Sequence, residues 1–256
     1  MKHIKKKYYY QEKAVPIKKG KEAVLINRQD SKTIKKVKNG KIPFIQTTDG
    51  FKVFSMFHNY NGTELVIPIP DLTLVYYNNA YLNNLIRKRE EKKLFKKLLD
   101  KSEITEDVAN ELYDYIGAAS SAIIQMFTSI ESFINHLIPD DKPYINNERR
   151  DRTELYTKEQ IQIHIKFWDK MKKVLPYYHT KNFFKKTTPT NSHITKLKEL
   201  RDEIIHTKSK QVYESQSKLI EKLLKFKYDE TLLASRKFMN FYISEYITEC
   251  DCKDDF

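Results

Sequence analysis

The chain has 256 residues and a formal net charge of +13, enough length for one large domain or two small ones with a real core. Its two cysteines, Cys250 and Cys252, give neither a disulfide framework nor the ligands of a structural zinc site. Met1–Lys7 is basic, but no apolar run follows, and no segment is long and apolar enough to span a bilayer, so the sequence predicts a cytoplasmic chain without a membrane partner.

The charge is unevenly spread. Residues 1–101 hold 23 Lys and Arg against 9 Asp and Glu, a net of +14, and residues 102–256 hold 24 against 25. Such asymmetry points to a polyanion, with nucleic acid ahead of an anionic membrane surface. Lysine richness also serves solubility alone.

The first seventy residues read as an antiparallel β-meander. Asn39-Gly40, Asp49-Gly50 and Asn61-Gly62 mark turns, each supplying the positive φ of tight hairpins. Strands are predicted at 33–37, 42–47, 51–57 and 64–69, with 23–27 as a further edge strand. Lys35, Lys36, Lys38 and Lys41 keep an edge soluble and make a basic face suited to RNA. A helix follows at 79–101. Its run Arg87-Lys88-Arg89-Glu90-Glu91-Lys92-Lys93 is a solvated face or a phosphate contact through Arg87, Lys88 and Arg89.

The strongest periodicity lies at 105–138. Leu112, Ile116, Ala119, Ile123, Met126, Ile130, Phe133 and Leu137 step by four and three, the seam of a packed helix. Thr105 suits its N-cap and Pro139 ends it. Glu131 lies off the seam, as a surface carboxylate or as one that supports Arg201. Thr157-Lys158-Glu159-Gln160 is a capping box opening a helix over 158–175, beside whose apolar stripe His164 is expected to rest. The loop 176–192 interleaves Tyr177, Tyr178, Phe183 and Phe184 with Lys181, Lys185 and Lys186. That pattern suits single-stranded RNA, through stacking and phosphate neutralisation, and equally suits a loop pinned to the core by its rings. Helices are predicted from 192 or 193 onward, then at 210–227 and 230–248, giving four or five helices in a compact bundle.

The helix beginning near Ser192 ends in Arg201-Asp202-Glu203-Ile204-Ile205-His206. Arginine offers a rigid fork of donors to phosphate, and histidine moves protons near neutral pH. Together they suffice to cut RNA without a metal: histidine takes the ribose 2′-hydroxyl proton and arginine holds the phosphate as charge builds on it. On an ideal helix Ile194, Leu197, Leu200, Ile204 and Ile205 form one apolar face, and Arg201 falls inside it, where a charge needs a partner. His206 lies about 140° around from Arg201. A regular helix in one chain therefore does not aim both groups at one phosphate; a distortion near His206, or a second chain, is required.

Arg201, a polar residue, three residues and His206 match the signature of HEPN-type ribonucleases, which this chain resembles. Ala122-Ile123-Ile124-Gln125-Met126-Phe127-Thr128-Ser129-Ile130-Glu131-Ser132-Phe133-Ile134-Asn135 is similar to the long early helix of those domains. The resemblance covers roughly 103–248. It implies a dimerising helical bundle with Arg201 and His206 of both chains at the interface, and RNA cleavage without cofactor or metal. It implies a toxin or antiviral effector as well, with an antitoxin or regulatory partner. Many members of the family serve as inactive scaffolds.

The expected architecture is thus mainly α: a basic β-rich module with its connecting helix at 1–101 and a HEPN-like bundle at 102–256. The expected activity is that of an endoribonuclease in which His206 is the general base, Arg201 holds the phosphate and Asp202 positions one of them. The alternative is a catalytically silent module that binds nucleic acid or protein. Gly-rich phosphate loops, His-Glu-x-x-His, paired Cys-x-x-Cys and Gly-x-Ser-x-Gly are absent from the sequence.

Overall fold

The computed structural model describes residues 4–8, 22–26, 30–37, 39–48, 50–100, 106–147, 153–206 and 212–250. The chain divides into two compact units, Lys6–Val75 and Tyr76–Phe256 together with Met1–Lys5.

The first unit is a four-stranded mixed sheet, not an antiparallel meander. Its strands β1 (Glu22–Ile26), β2 (Lys41–Gln46), β3 (Lys52–Tyr60) and β4 (Thr63–Pro68) lie in the order β1-β2-β3-β4. β1 runs parallel to β2, and the other pairings are antiparallel. Parallel neighbours need a crossover, and here it contains helix α1 (Ser31–Val37). The segment 33–37 is therefore helical and not a strand. Asp30 explains why: its carboxylate accepts from the backbone N–H groups of Lys32 and Thr33, at 3.1 and 3.2 Å, and from the Thr33 hydroxyl. That side-chain cap outweighs the strand preference of Thr, Ile and Val.

Ile34 of α1 is fully buried against Ile26 and Val66, closing one face of the sheet. Between β3 and β4, Asn61 and Gly62 have φ of 48° and 82°, the two left-handed residues that a two-residue hairpin turn demands. On the other face of β3, Phe54 packs on the buried Phe44 with ring centroids 4.5 Å apart, while Met56 and Tyr60 are exposed.

The second unit is helical. α2 (Leu72–Asp100) starts seven residues before the predicted 79, and the unit boundary falls near that start, so most of α2 belongs with the bundle. α3 (Glu106–Leu137) matches the predicted seam closely. Ile123, Met126, Ile130 and Phe133 are fully buried, each contributing about 1.5–3 kcal/mol by leaving water. Phe133 packs edge-on to Phe238 and against Tyr246. After α3 come two short antiparallel strands, β5 (Tyr144–Asn146) and β6 (Glu154–Tyr156).

The Thr157 capping box forms with both of its bonds and opens α4 (Lys158–His164). The predicted single helix 158–175 breaks at Ile165-Lys166. It resumes as α5 (Phe167–Asp169), a π-helical stretch Lys170–Val174 and α6 (Leu175–Tyr178). His164 is exposed at the break, not packed beside the stripe. Then come α7 (Pro189–Ile205), α8 (Val212–Lys225) and α9 (Tyr228–Tyr242). α7 starts earlier than 192 because Thr188 caps it through the Asn191 N–H and Pro189 occupies its first turn. Among the described residues, no helix is long and apolar enough to cross a membrane.

Candidate functional site

α7 packs against α3, α8 and α9. Ile194, Leu197 and Leu200 point into that core and are buried. Arg201, predicted inside the apolar face, is accommodated rather than excluded. Its guanidinium lies 4.8 Å from the Phe127 ring of α3 and its Nη1 is 3.2 Å from Asp202. The arginine side chain keeps 28% of its exposure. Its aliphatic stem and planar head can cover apolar surface while an edge stays wet.

Asp202 is the ionic hub of the motif. It accepts from Lys198 as well as from Arg201. Burial alone would raise its carboxyl, but hydrogen bonds and charge from Lys198 and Arg201 outweigh that and hold it below the usual carboxylate range. Asp202 therefore stays ionised and tethers Arg201.

His206 is the last, capping residue of α7, with φ −107° and ψ 51°, and its backbone N–H donates to Asp202 at 2.9 Å. Its ring is exposed and lines an open groove of about 440 Å³ between α7 and α8, with Asp202, Lys218, Leu219 and Lys222. Arg201 is not among the lining residues; it turns onto α3. The helix ends at His206, and one copy does not bring Arg201 and His206 to a common groove. Glu131 does not reach Arg201 either: the two share no hydrogen bond or ion pair. The charge Glu131 acts on is Lys170, a nearly buried amine that donates to the Gln162 carbonyl at 2.9 Å. Burial lowers the Lys170 pKa and Glu131 opposes that.

The other expected contacts with RNA sort sharply. Arg87 is buried and committed: Nε bonds Asn84 at 2.9 Å, Nη1 pairs with Glu91 at 2.7 Å, and the guanidinium stacks 4.3 Å from the Tyr228 ring. It is a core residue and not a phosphate contact. Lys88 pairs with Asp229 at 2.7 Å and Arg89 with Glu90 at 2.6 Å. Lys35 and Lys36 are exposed on α1, Lys41 pairs with Glu22 at 3.3 Å, and Lys38 lies outside the described residues. Lys181 reaches the Phe241 carbonyl, whereas Lys185 and Lys186 are exposed. The rings of that loop are pinned inward: Phe183 packs on Phe238 and Phe241, Phe184 on Trp168, and Tyr178 bonds the Lys142 carbonyl. Anchoring thus accounts for those three, while Tyr177 remains about half exposed.

This chain matches no family model, no curated protein and no solved structure. One carboxylate group among the described residues has metal-ligand proximity, Glu90 with Glu111 and Asp114. Arg89, Lys93 and Lys97 already compensate it, pairing with Glu90 and Glu111. Sequence reasoning passed over His193, which lines a second groove on α7. Nothing local marks it, because its partner Thr231 is 38 residues away.

Proposed function

We propose that the bundle is a metal-independent endoribonuclease of HEPN type, working as a two-fold pair in RNA-directed defence or as a toxin. One arrangement carries the reading: α7 ends in an exposed His206 over a groove lined by Lys218 and Lys222 with Asp202 and Glu203, five residues beyond a partly open Arg201 tethered by an ionised Asp202. His206 removes the proton of a ribose 2′-hydroxyl. The 2′-oxygen forms a bond to phosphorus, the bond to the 5′-oxygen breaks, and that oxygen leaves after taking a proton from the imidazolium or water. The products are a 2′,3′-cyclic phosphate and a 5′-hydroxyl. Arg201 of the facing copy stabilises the charge gathering on the phosphate.

A second reading has its own support. Arg201 is held between Phe127 and Asp202, away from the His206 groove, as suits a silent module that binds nucleic acid or protein. Incubating wild-type and His206→Ala protein with total cellular RNA in EDTA separates the two. The nuclease reading expects cleavage by the wild type and a loss of at least about a hundredfold in the variant. Robust cutting by the Arg201→Ala/His206→Ala double variant, or full dependence on added magnesium, contradicts it. RNA retention without cutting moves the assignment to the silent module.

A further inference from the structure

His193 stands 13 residues before His206 on α7, about 20 Å along the axis. Its Nδ1 lies 3.3 Å from the Thr231 hydroxyl, and that hydroxyl donates its one proton to the Lys227 carbonyl at 2.6 Å. Thr231 must therefore accept, so Nδ1 of His193 carries the hydrogen. In the neutral ring Nε2 is left as an acceptor.

That ring lines a groove of about 430 Å³ bounded by α7, α8 and α9. Buried Leu200 and half-buried Phe226 give it an apolar floor. Lysines crowd its rim. Lys222 is paired with Glu203 and Lys225 with Glu221, while Lys196 and Lys227 have no acidic partner among the described residues. The Glu199 carboxylate, with no cationic partner among the described residues, shares the rim. Glu203 and Lys222 also line the groove that holds His206, so the two grooves are neighbours along one furrow.

We propose that this groove is a subsite for single-stranded RNA, holding a nucleotide several positions from the phosphate at His206. Phe226 and Leu200 take the face of the base. Lys196 and Lys227 take backbone phosphates. His193 Nε2 accepts a hydrogen bond from a ribose 2′-hydroxyl, the group that distinguishes RNA from DNA. The inference rests on α7 being the RNA-handling helix, and it deepens that reading by assigning how the substrate is recognised.

Anisotropy titrations of the full chain, in a His206→Ala background so that cutting does not intervene, test it. The probes are one labelled single-stranded RNA and the DNA of the same sequence. The expected result is tighter binding of RNA. The double change Lys196→Gln/Lys227→Gln should weaken RNA binding at least tenfold, and His193→Ala should remove the preference for RNA over DNA. Both lysines are exposed, so an unaltered thermal transition should accompany their effect. RNA affinity within twofold of the parent in the lysine variant, or an unchanged RNA preference in His193→Ala, overturns the proposal. Binding and cutting fail independently: a wild type that never cuts but binds through these residues sinks the nuclease reading alone. A cutting enzyme whose affinity ignores them sinks the subsite alone.

Discussion

Replacing Arg201 by alanine separates a structural role from a chemical one. The structural loss is the stack on Phe127 and the contact with Asp202. A partly exposed cation–π contact is worth about 1 kcal/mol, and a partly exposed ion pair a few tenths more. The expected destabilisation is therefore roughly 1–2 kcal/mol, a fall in Tm of a few degrees for a chain of this size. A domain stable by about 5–15 kcal/mol remains almost entirely folded after such a loss. Removing a donor that stabilises transition-state charge costs about 10²–10³ in rate, far more than a change in folded fraction can supply. The assay pairs thermal unfolding with initial rates of RNA cleavage in EDTA. Arg201→Lys adds resolution, because it keeps the charge and loses the planar fork. It should recover much of the stability and little of the rate. Cleavage by Arg201→Ala within threefold of wild type, at an unchanged folded fraction, refutes the assignment.

Light scattering at micromolar concentration should find a dimer, since one copy does not place Arg201 in the His206 groove; a strict monomer with full activity contradicts the composite site. Asp202→Asn should destabilise the protein near neutral pH. Because the folded carboxyl lies below its ordinary value, the stabilisation is present above about pH 4 and is lost as pH falls through the folded pKa, so the two unfolding curves should converge in acid. Parallel curves across that range would remove Asp202 from the ion network. Arg87→Ala should cost about 1.5–3 kcal/mol, the scale for losing a hydrogen bond to a charged group, and should leave the salt dependence of RNA binding unchanged. Substituting Lys35 and Lys36 by Gln tests the opposite case: a flatter salt slope supports an RNA grip on the N-terminal unit, and an unchanged slope assigns α1 to sensing or docking a partner.

Much of the bundle was legible because its signals are local. The seam of α3 and the Thr157 box need only neighbours within a few residues, and both formed as the spacing dictates. The sheet was harder. Thr33, Ile34 and Val37 favour a strand, and the decisive residue, Asp30, stands outside the segment it converts to helix. Arg87 sat in a charge run that looked solvated. Its partners Asn84 and Glu91 were within reach of a helical reading, but Tyr228 stands 141 residues further on. The same limit hid the His193 groove, which exists only once α8 and α9 are in place. For Arg201 the anomaly was visible from sequence, whereas its resolution by Phe127 was not.

The bundle also has an order of completion. The Tyr77 hydroxyl of α2 bonds the Leu232 carbonyl of α9, 155 residues later, and Lys5 donates to the Thr248 carbonyl. On a ribosome adding roughly 5–20 residues per second, α2 waits on the order of ten to thirty seconds for that partner. During the wait Asn84 and Arg87 lack Asp229 and Tyr228, so the nascent helix exposes polar groups built for burial. α7 is likewise synthesised before α8 and α9, which complete its two grooves. The motif is thus translated well before it is framed, and a chain that stalls upstream of α9 carries Arg201 and His206 without the bundle that seats them.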